Sequence, residues 1–151
     1  MLLKTHLAIA LLFAVIFINY ASDKAVFIIM MAIATLLPNI DNPFSGIGKN
    51  FIFKPVQFFT KHRGMFHSFT LAIILSILLA IFVPVASFGF FLGYSIHLMI
   101  DSFTREGIQP FWPSKMISRG FIPAGGRVED SIFLFFVVID ILLFAVIFVF
   151  V

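Results

Sequence analysis

Five apolar stretches take up most of this chain, running from about Lys4 to Tyr20, Lys24 to Ile40, Phe66 to Val83, Ala86 to Phe103 and Ser131 to Val151. Each approaches the ~20 residues that a helix needs to cross a ~30 Å hydrocarbon core. In lipid every backbone N–H and C=O must be satisfied within the protein, which leaves helices and closed barrels as the spanning structures. None of the five stretches alternates strictly between apolar and polar residues as a barrel strand does, so the pattern predicts helices. The composition agrees: 62% of the residues are hydrophobic and 11% charged, and the mean hydropathy of +1.15 lies far from that of a soluble domain. The expected architecture is all-α, a polytopic transmembrane bundle of about five spanning helices, forming one integral membrane domain over residues 1–151.

The connections are unequal, and this sets the expected topology. Ala21 to Asp23 and Pro84-Val85 are tight turns, whereas Asp41 to Met65 and Thr104 to Asp130 are long loops that fall on one side. Lys49, Lys54, Lys61 and Arg63 lie in the first loop; Arg105, Lys115, Arg119 and Arg127 lie in the second. Lys4 joins them, and Lys24 alone marks the other side. The positive-inside rule then places the N-terminus and both loops in the cytoplasm and the C-terminus outside. A cleaved signal peptide is the competing reading of Lys4, Leu7 to Ile18 and Ala21-Ser22. It is the weaker one, because cleavage would discard His6 and because Lys24-Ala25 leads straight into another apolar run.

All four histidines and several acids stand at the ends that this topology gathers on one face. His6 opens the first stretch, Asp41 closes the second, His62 and His67 open the third, His97 and Asp101 close the fourth, and Glu129 and Asp130 open the fifth. Imidazoles and carboxylates collected at one membrane surface are what a metal-dependent active site requires. The chain has no cysteine, so a metal would take nitrogen and oxygen ligands.

His97 and Asp101, four apart, share one helix face and can converge on an ion or on each other. Taken alone, the pair reads as a hydrogen bond that tightens the bundle; ionisable groups in spanning helices face the interior in either case. His62 and His67, five apart, would point ~140° away from each other on an unbroken helix. Gly64 is therefore expected to mark the junction, with His62 on the incoming loop and His67 in the first helical turn. Between them, Arg63 either receives an anionic oxygen such as a phosphate or serves as an ordinary positive anchor. Pro38 ends or disrupts the second helix and leaves Asp41 at the interface, where a lone acid would be a solvated terminator. Ala124-Gly125-Gly126, ahead of the last helix, offers either backbone amides for an anion or a hinge followed by acids that complement the helix dipole. Asp140 lies ~16 Å deeper than Glu129, too far to share its ligand shell, and reads as a separate acid on an ion pathway or bonded to Ser76, Tyr94 or another bundle residue.

Phe44, Phe51, Phe53, Phe58 and Phe59 alternate with Lys49, Lys54 and Lys61 in the first loop, a pattern suited to lying in the interface among membrane lipids with anionic headgroups. A net charge of +3 and a pI near 9.5 do not point to a nucleic-acid partner, and none is expected.

Together, Thr5-His6, Leu37-Pro38-Asn39-Ile40-Asp41, His62-Arg63-Gly64, His67-Ser68, and Gly93-Tyr94-Ser95-Ile96-His97-Leu98 through Asp101, with Thr104, Gly107 and Trp112-Pro113, resemble the inner-membrane metal-dependent hydrolases, a family with a LexA-regulated bacterial member. The resemblance runs along almost the whole chain. It implies an inner-membrane hydrolase whose polar positions match His6, Asp41, His62, His67, His97 and Asp101. Where the family commonly has an acid this chain has Asn39, which counts against a two-metal site; Gly126 and Glu129 match the family's late motif.

The expected function is a metal-dependent hydrolase acting at the cytoplasmic interface on a phospholipid or another membrane-associated ester. The divalent ion, zinc, manganese or magnesium, would be held by His67, His97 and Asp101, then His6, Asp41 and Glu129, with His62, Arg63 and Asp41 assisting catalysis. Divalent-cation binding or transport, and a structural membrane protein with a buried polar network, are the alternatives.

Overall fold

The structure is a computed structural model and describes residues 1–60 and 63–150. Among the described residues it contains helices and no strands, in the order α1 (Leu3–Phe17), α2 (Lys24–Leu36), α3 (Lys54–Phe59), α4 (Phe69–Phe82), α5 (Pro84–Ser102) and α6 (Arg127–Phe150). Short 3₁₀ turns extend α1 through Ile18–Tyr20 and α2 through Leu37–Asp41. With those extensions, four helical segments are long and apolar enough to cross a membrane: Leu3–Tyr20, Lys24–Asp41, Pro84–Ser102 and Arg127–Ile147. The fifth apolar helix, α4, has 14 residues and rises ~21 Å, so it begins later than the apolar run at Phe66 suggests. The all-α membrane bundle is as the sequence predicts.

Local chemistry sets the helix ends. The Asp23 carboxylate accepts from the N–H groups of Ala25 at 2.9 Å and Val26 at 3.0 Å, satisfying donors that the first turn of α2 leaves open. Ser68 caps α4 through Leu71 N–H. Gly64 does precede the start of structure, but the element it opens is a 3₁₀ turn, Met65–His67, and His67 therefore lies just before α4 rather than in its first turn. Pro38 opens the 3₁₀ turn that carries Asp41; having no N–H, it tightens the end of α2 without breaking the segment. The second connection is tighter than expected, because α5 starts at Pro84 itself, a position that suits proline at a helix start.

The centre of the bundle is the contact of α2 with α5. Gly89 and Gly93 of α5 lie against the backbone of Phe27 and Met31 of α2, so closely that a Cβ at Gly89 would sit 2.6 Å from the Phe27 carbonyl oxygen. Small residues four apart let helix backbones approach in lipid, where no hydrophobic drive brings helices together. Thr35 Oγ donates to Met31 O at 2.8 Å and to Gly93 O at 3.3 Å, across the same seam. On one side α1 adds Ile9, Ala10 and Ala14 to Phe27, Met31, Ile96 and Ile100; on the other, α4 and the second long loop add Ala72 and Ile108 to Ala34, Phe90, Tyr94 and Leu98. Tyr94 OH donates to Phe66 O at 2.7 Å and Ser76 Oγ to Ala72 O at 2.7 Å, so neither hydroxyl meets Asp140, contrary to the partnership expected for that acid. α6 packs on α1, and most of its apolar surface faces outward.

Candidate metal centre

Four elements deliver polar side chains to one buried point at the end of the bundle. His6 comes from the first turn of α1, Asp41 from the 3₁₀ turn after α2, His67 from the 3₁₀ turn before α4, and His97 and Asp101 from the last turns of α5. All five are buried. Asp101 is the hub: its Oδ1 lies 3.3 Å from His6 Nε2, and its Oδ2 lies 3.5 Å from both His67 Nε2 and His97 Nε2. The Met1 amine sits 2.5 Å from Oδ1. The His6 and His97 rings stack with centroids 4.1 Å apart, and His67 meets His97 edge-on at 5.3 Å.

The opposite edge of each ring is held by an oxygen acceptor. His6 Nδ1–H donates to Leu2 O at 3.0 Å, His97 Nδ1–H to Thr35 O at 2.8 Å and His67 Nδ1–H to the Asp41 carboxylate at 3.2 Å. Carbonyl and carboxylate oxygens only accept, so each Nδ1 carries a proton and Nε2 is the ring atom turned toward Asp101. Nε2 of His6 and of His97 is buried without a hydrogen-bond partner. Lone pairs facing a carboxylate in a dry site are costly unless a proton or a cation lies between them.

A divalent cation fits this donor set. Tetrahedral ligands on bonds of ~2.1 Å stand ~3.4 Å apart, close to the separations that Asp101 shows from the imidazoles. His6, His97 and Asp101 offer ligand atoms that all lie within 4.8 Å of one another. The carbonyl and carboxylate behind each imidazole are the supports that metal-ligating histidines use to fix ring orientation. The chain has no cysteine, so the donors are imidazole nitrogens and carboxylate oxygens.

The remaining expected site residues divide. Asp41 stands behind His67 and also accepts from Arg63 N–H at 3.3 Å, which places it as a support for His67. Arg63 holds a backbone φ of 63°, uncommon for a residue with a Cβ. Its Nη1 donates to Gly107 O at 3.0 Å and Thr104 Oγ at 3.2 Å and lies 3.8 Å from Glu106, so it ties the first long loop to the second. Glu129 is fully buried but apart from the cluster: its carboxylate accepts from Leu2 N–H, from Thr5 Oγ at 2.9 Å and from Gly125 N–H at 2.5 Å. It braces the start of α1, which carries His6, and takes up the Gly125 amide that an anion would have needed. His62 lies outside the described residues.

Thr35, whose carbonyl orients His97, is a member of the centre that sequence reasoning does not reach, since a backbone oxygen has no side-chain signature. The spacing of Gly89 and Gly93 is the sequence signal for the close α2–α5 seam that brings this carbonyl to His97.

The whole chain, residues 1–151, matches the family described as YdjM inner membrane protein. It is 35% identical over 107 residues to "Inner membrane protein YdjM" of Escherichia coli (strain K12), covering 58% of this chain and 50% of that protein. The protein of the same name from Shigella flexneri gives the same figures. "Uncharacterized protein YvsG" of Bacillus subtilis (strain 168) is 30% identical over 104 residues, 66% of this chain and 65% of that one. The chain thus spans about half the length of the YdjM proteins it matches. No solved structure matches it.

Proposed function

The chain belongs to the YdjM inner membrane protein family, and from that premise we propose that it is a metal-dependent hydrolase working at the cytoplasmic face of the membrane on a phospholipid or another membrane-associated ester. One observation carries the reading: three imidazoles from three different elements turn Nε2 toward a single buried carboxylate while their Nδ1 edges are fixed by oxygen acceptors. The resemblance to inner-membrane metal-dependent hydrolases supports the same chemistry.

In this reading His6, His97 and Asp101 would hold the ion. A divalent ion bound there supplies a water of lowered pKa and polarises the scissile group. His67, oriented by Asp41, takes the proton from the attacking nucleophile, as an imidazole backed by a carboxylate does elsewhere. Arg63 contributes positive charge at the rim, where the two long loops meet. Nine of the ten Lys and Arg residues fall on this side of the bundle by connectivity, which supports its being cytoplasmic and favours anionic headgroups there.

The test is elemental analysis of detergent-purified protein loaded in turn with zinc, manganese and magnesium, for the native chain and for Asp101→Asn and His97→Gln, which keep side-chain size. Stoichiometric metal in the native chain, lost from folded variants, together with metal-dependent cleavage in a screen of phospholipids and phosphodiesters, is the expected result. A folded native chain that retains none of the three metals sinks the proposal, and flux of the ion across vesicles without turnover turns the site into one for cation transport.

A further inference from the structure

We propose that the groove between α1, α5 and α6 seats one acyl chain of a membrane phospholipid, with the headgroup end beside the candidate metal centre. The groove encloses about 430 Å³. Its lining is wholly apolar: Ile9, Leu12 and Phe13 come from α1, Ile100 from α5, and Ile132 and Phe136 from α6. It exists because α6 packs on α1 rather than on α5, leaving the space between α5 and α6 unfilled by side chains.

Two features specify the occupant. The first is size: a helix ~10 Å across would take roughly 1,400 Å³ along the ~18 Å from Met1 to Phe13, about three times the 430 Å³ of the groove, so a helix could rest only on its rim, whereas a single hydrocarbon chain is slender enough to lie within. The second is polarity along the groove. Met1 lines its upper end and also lines a neighbouring cavity of about 210 Å³ that includes Asn39, Asn42 and Ser45. A chamber that mixes these polar groups with Leu2, Leu3, Phe44 and Ile47 and a channel without polar lining therefore both border Met1, whose amine contacts Asp101. That is the shape of an amphiphile, polar at the level of the loops and apolar toward the bilayer centre. A lipid of the leaflet on this side lies in the same direction, since the channel follows the spanning helices. The placing of the headgroup at Asp101 rests on the hydrolase reading; the apolar seat does not.

The experiment uses the full chain reconstituted in phosphatidylglycerol vesicles that contain a fraction of the same lipid with a photoreactive diazirine midway along one acyl chain. After irradiation, peptide mapping should find labels concentrated on Leu12, Phe13, Ile132 and Phe136 relative to Ile77 and Ile81, which are exposed on α4. Leu12→Trp and Ile132→Trp, which fill the channel, should lower labelling of the remaining groove residues severalfold while α4 labelling stays constant; circular dichroism and thermal unfolding confirm that the variants fold. Labelling of the groove equal to that of α4 in the native chain, or unaffected by tryptophan in folded variants, overturns the seat. Metal content measured on the same samples separates the two ideas: a labelled groove in protein that binds no metal supports the seat and removes the hydrolase, whereas metal-dependent turnover with an unlabelled groove overturns the seat alone.

Discussion

Asp41 and His67 show how a residue's role depends on what stands behind it. They lie 3.2 Å apart in space although 26 positions separate them in the chain, so sequence can nominate both without pairing them. In contrast, the His97 and Asp101 pair was legible, because a spacing of four places two side chains on one helical face whatever the rest of the fold does. Glu129 was equally visible as an acid at a helix start, but its burial and its two donors from the start of α1 are supplied only by the packing of α6 on α1, while Gly125 adds a local third. If Asp41 orients a proton-accepting His67, Asp41→Asn should lower kcat by about 10–100-fold at saturating metal while bound metal, held by His6, His97 and Asp101, stays stoichiometric. Elemental analysis and steady-state kinetics on the same preparation check this, and an unchanged kcat removes the pair from the chemistry.

Among the elements, α2 and α5 matter most for the centre, because His97 is held through Thr35 O across their seam. A side chain at Gly93 would collide with the Met31 carbonyl, and backbone cannot move aside as a flexible side chain can. Gly93→Ala should therefore push the helices apart, destabilise the protein by about 1–3 kcal/mol and weaken metal binding through His97. Gly126→Ala, whose new Cβ would meet nothing nearer than Pro123 Cγ at 3.5 Å, should leave both nearly unchanged. Thermal unfolding in detergent with metal titration distinguishes them; equal behaviour of the two variants would refute the role of the seam. The existence of the apolar helices was plain from hydropathy, whereas the short reach of α4 was not, since Phe66 and His67 are apolar or weakly polar residues drawn out of the helix by the 3₁₀ turn and the Ser68 cap.

At the scale of the whole molecule, the cysteine-free sequence makes orientation directly measurable. Lys115→Cys should react with a membrane-impermeant maleimide only from the cytoplasmic side and Asp23→Cys only from the outside; the reverse pattern would place the candidate centre on the outer face and discard the cytoplasmic assignment. Sequence by itself determined that the chain is a helical membrane protein and that its histidines and most of its acids occupy one set of helix ends. Both conclusions follow from local properties, the apolar length of each segment and the order of the connections, because lipid forces each spanning segment to satisfy its own backbone. Tertiary structure decided which imidazole faces which carboxylate, which ring nitrogen turns inward, and that Glu129 and Arg63 act as braces between segments. These depend on the rotation and depth of each helix, fixed by the close approach of Gly89 and Gly93 to α2 and by backbone carbonyls at Leu2 and Thr35, and no pattern of side chains along the chain encodes where a carbonyl oxygen will point.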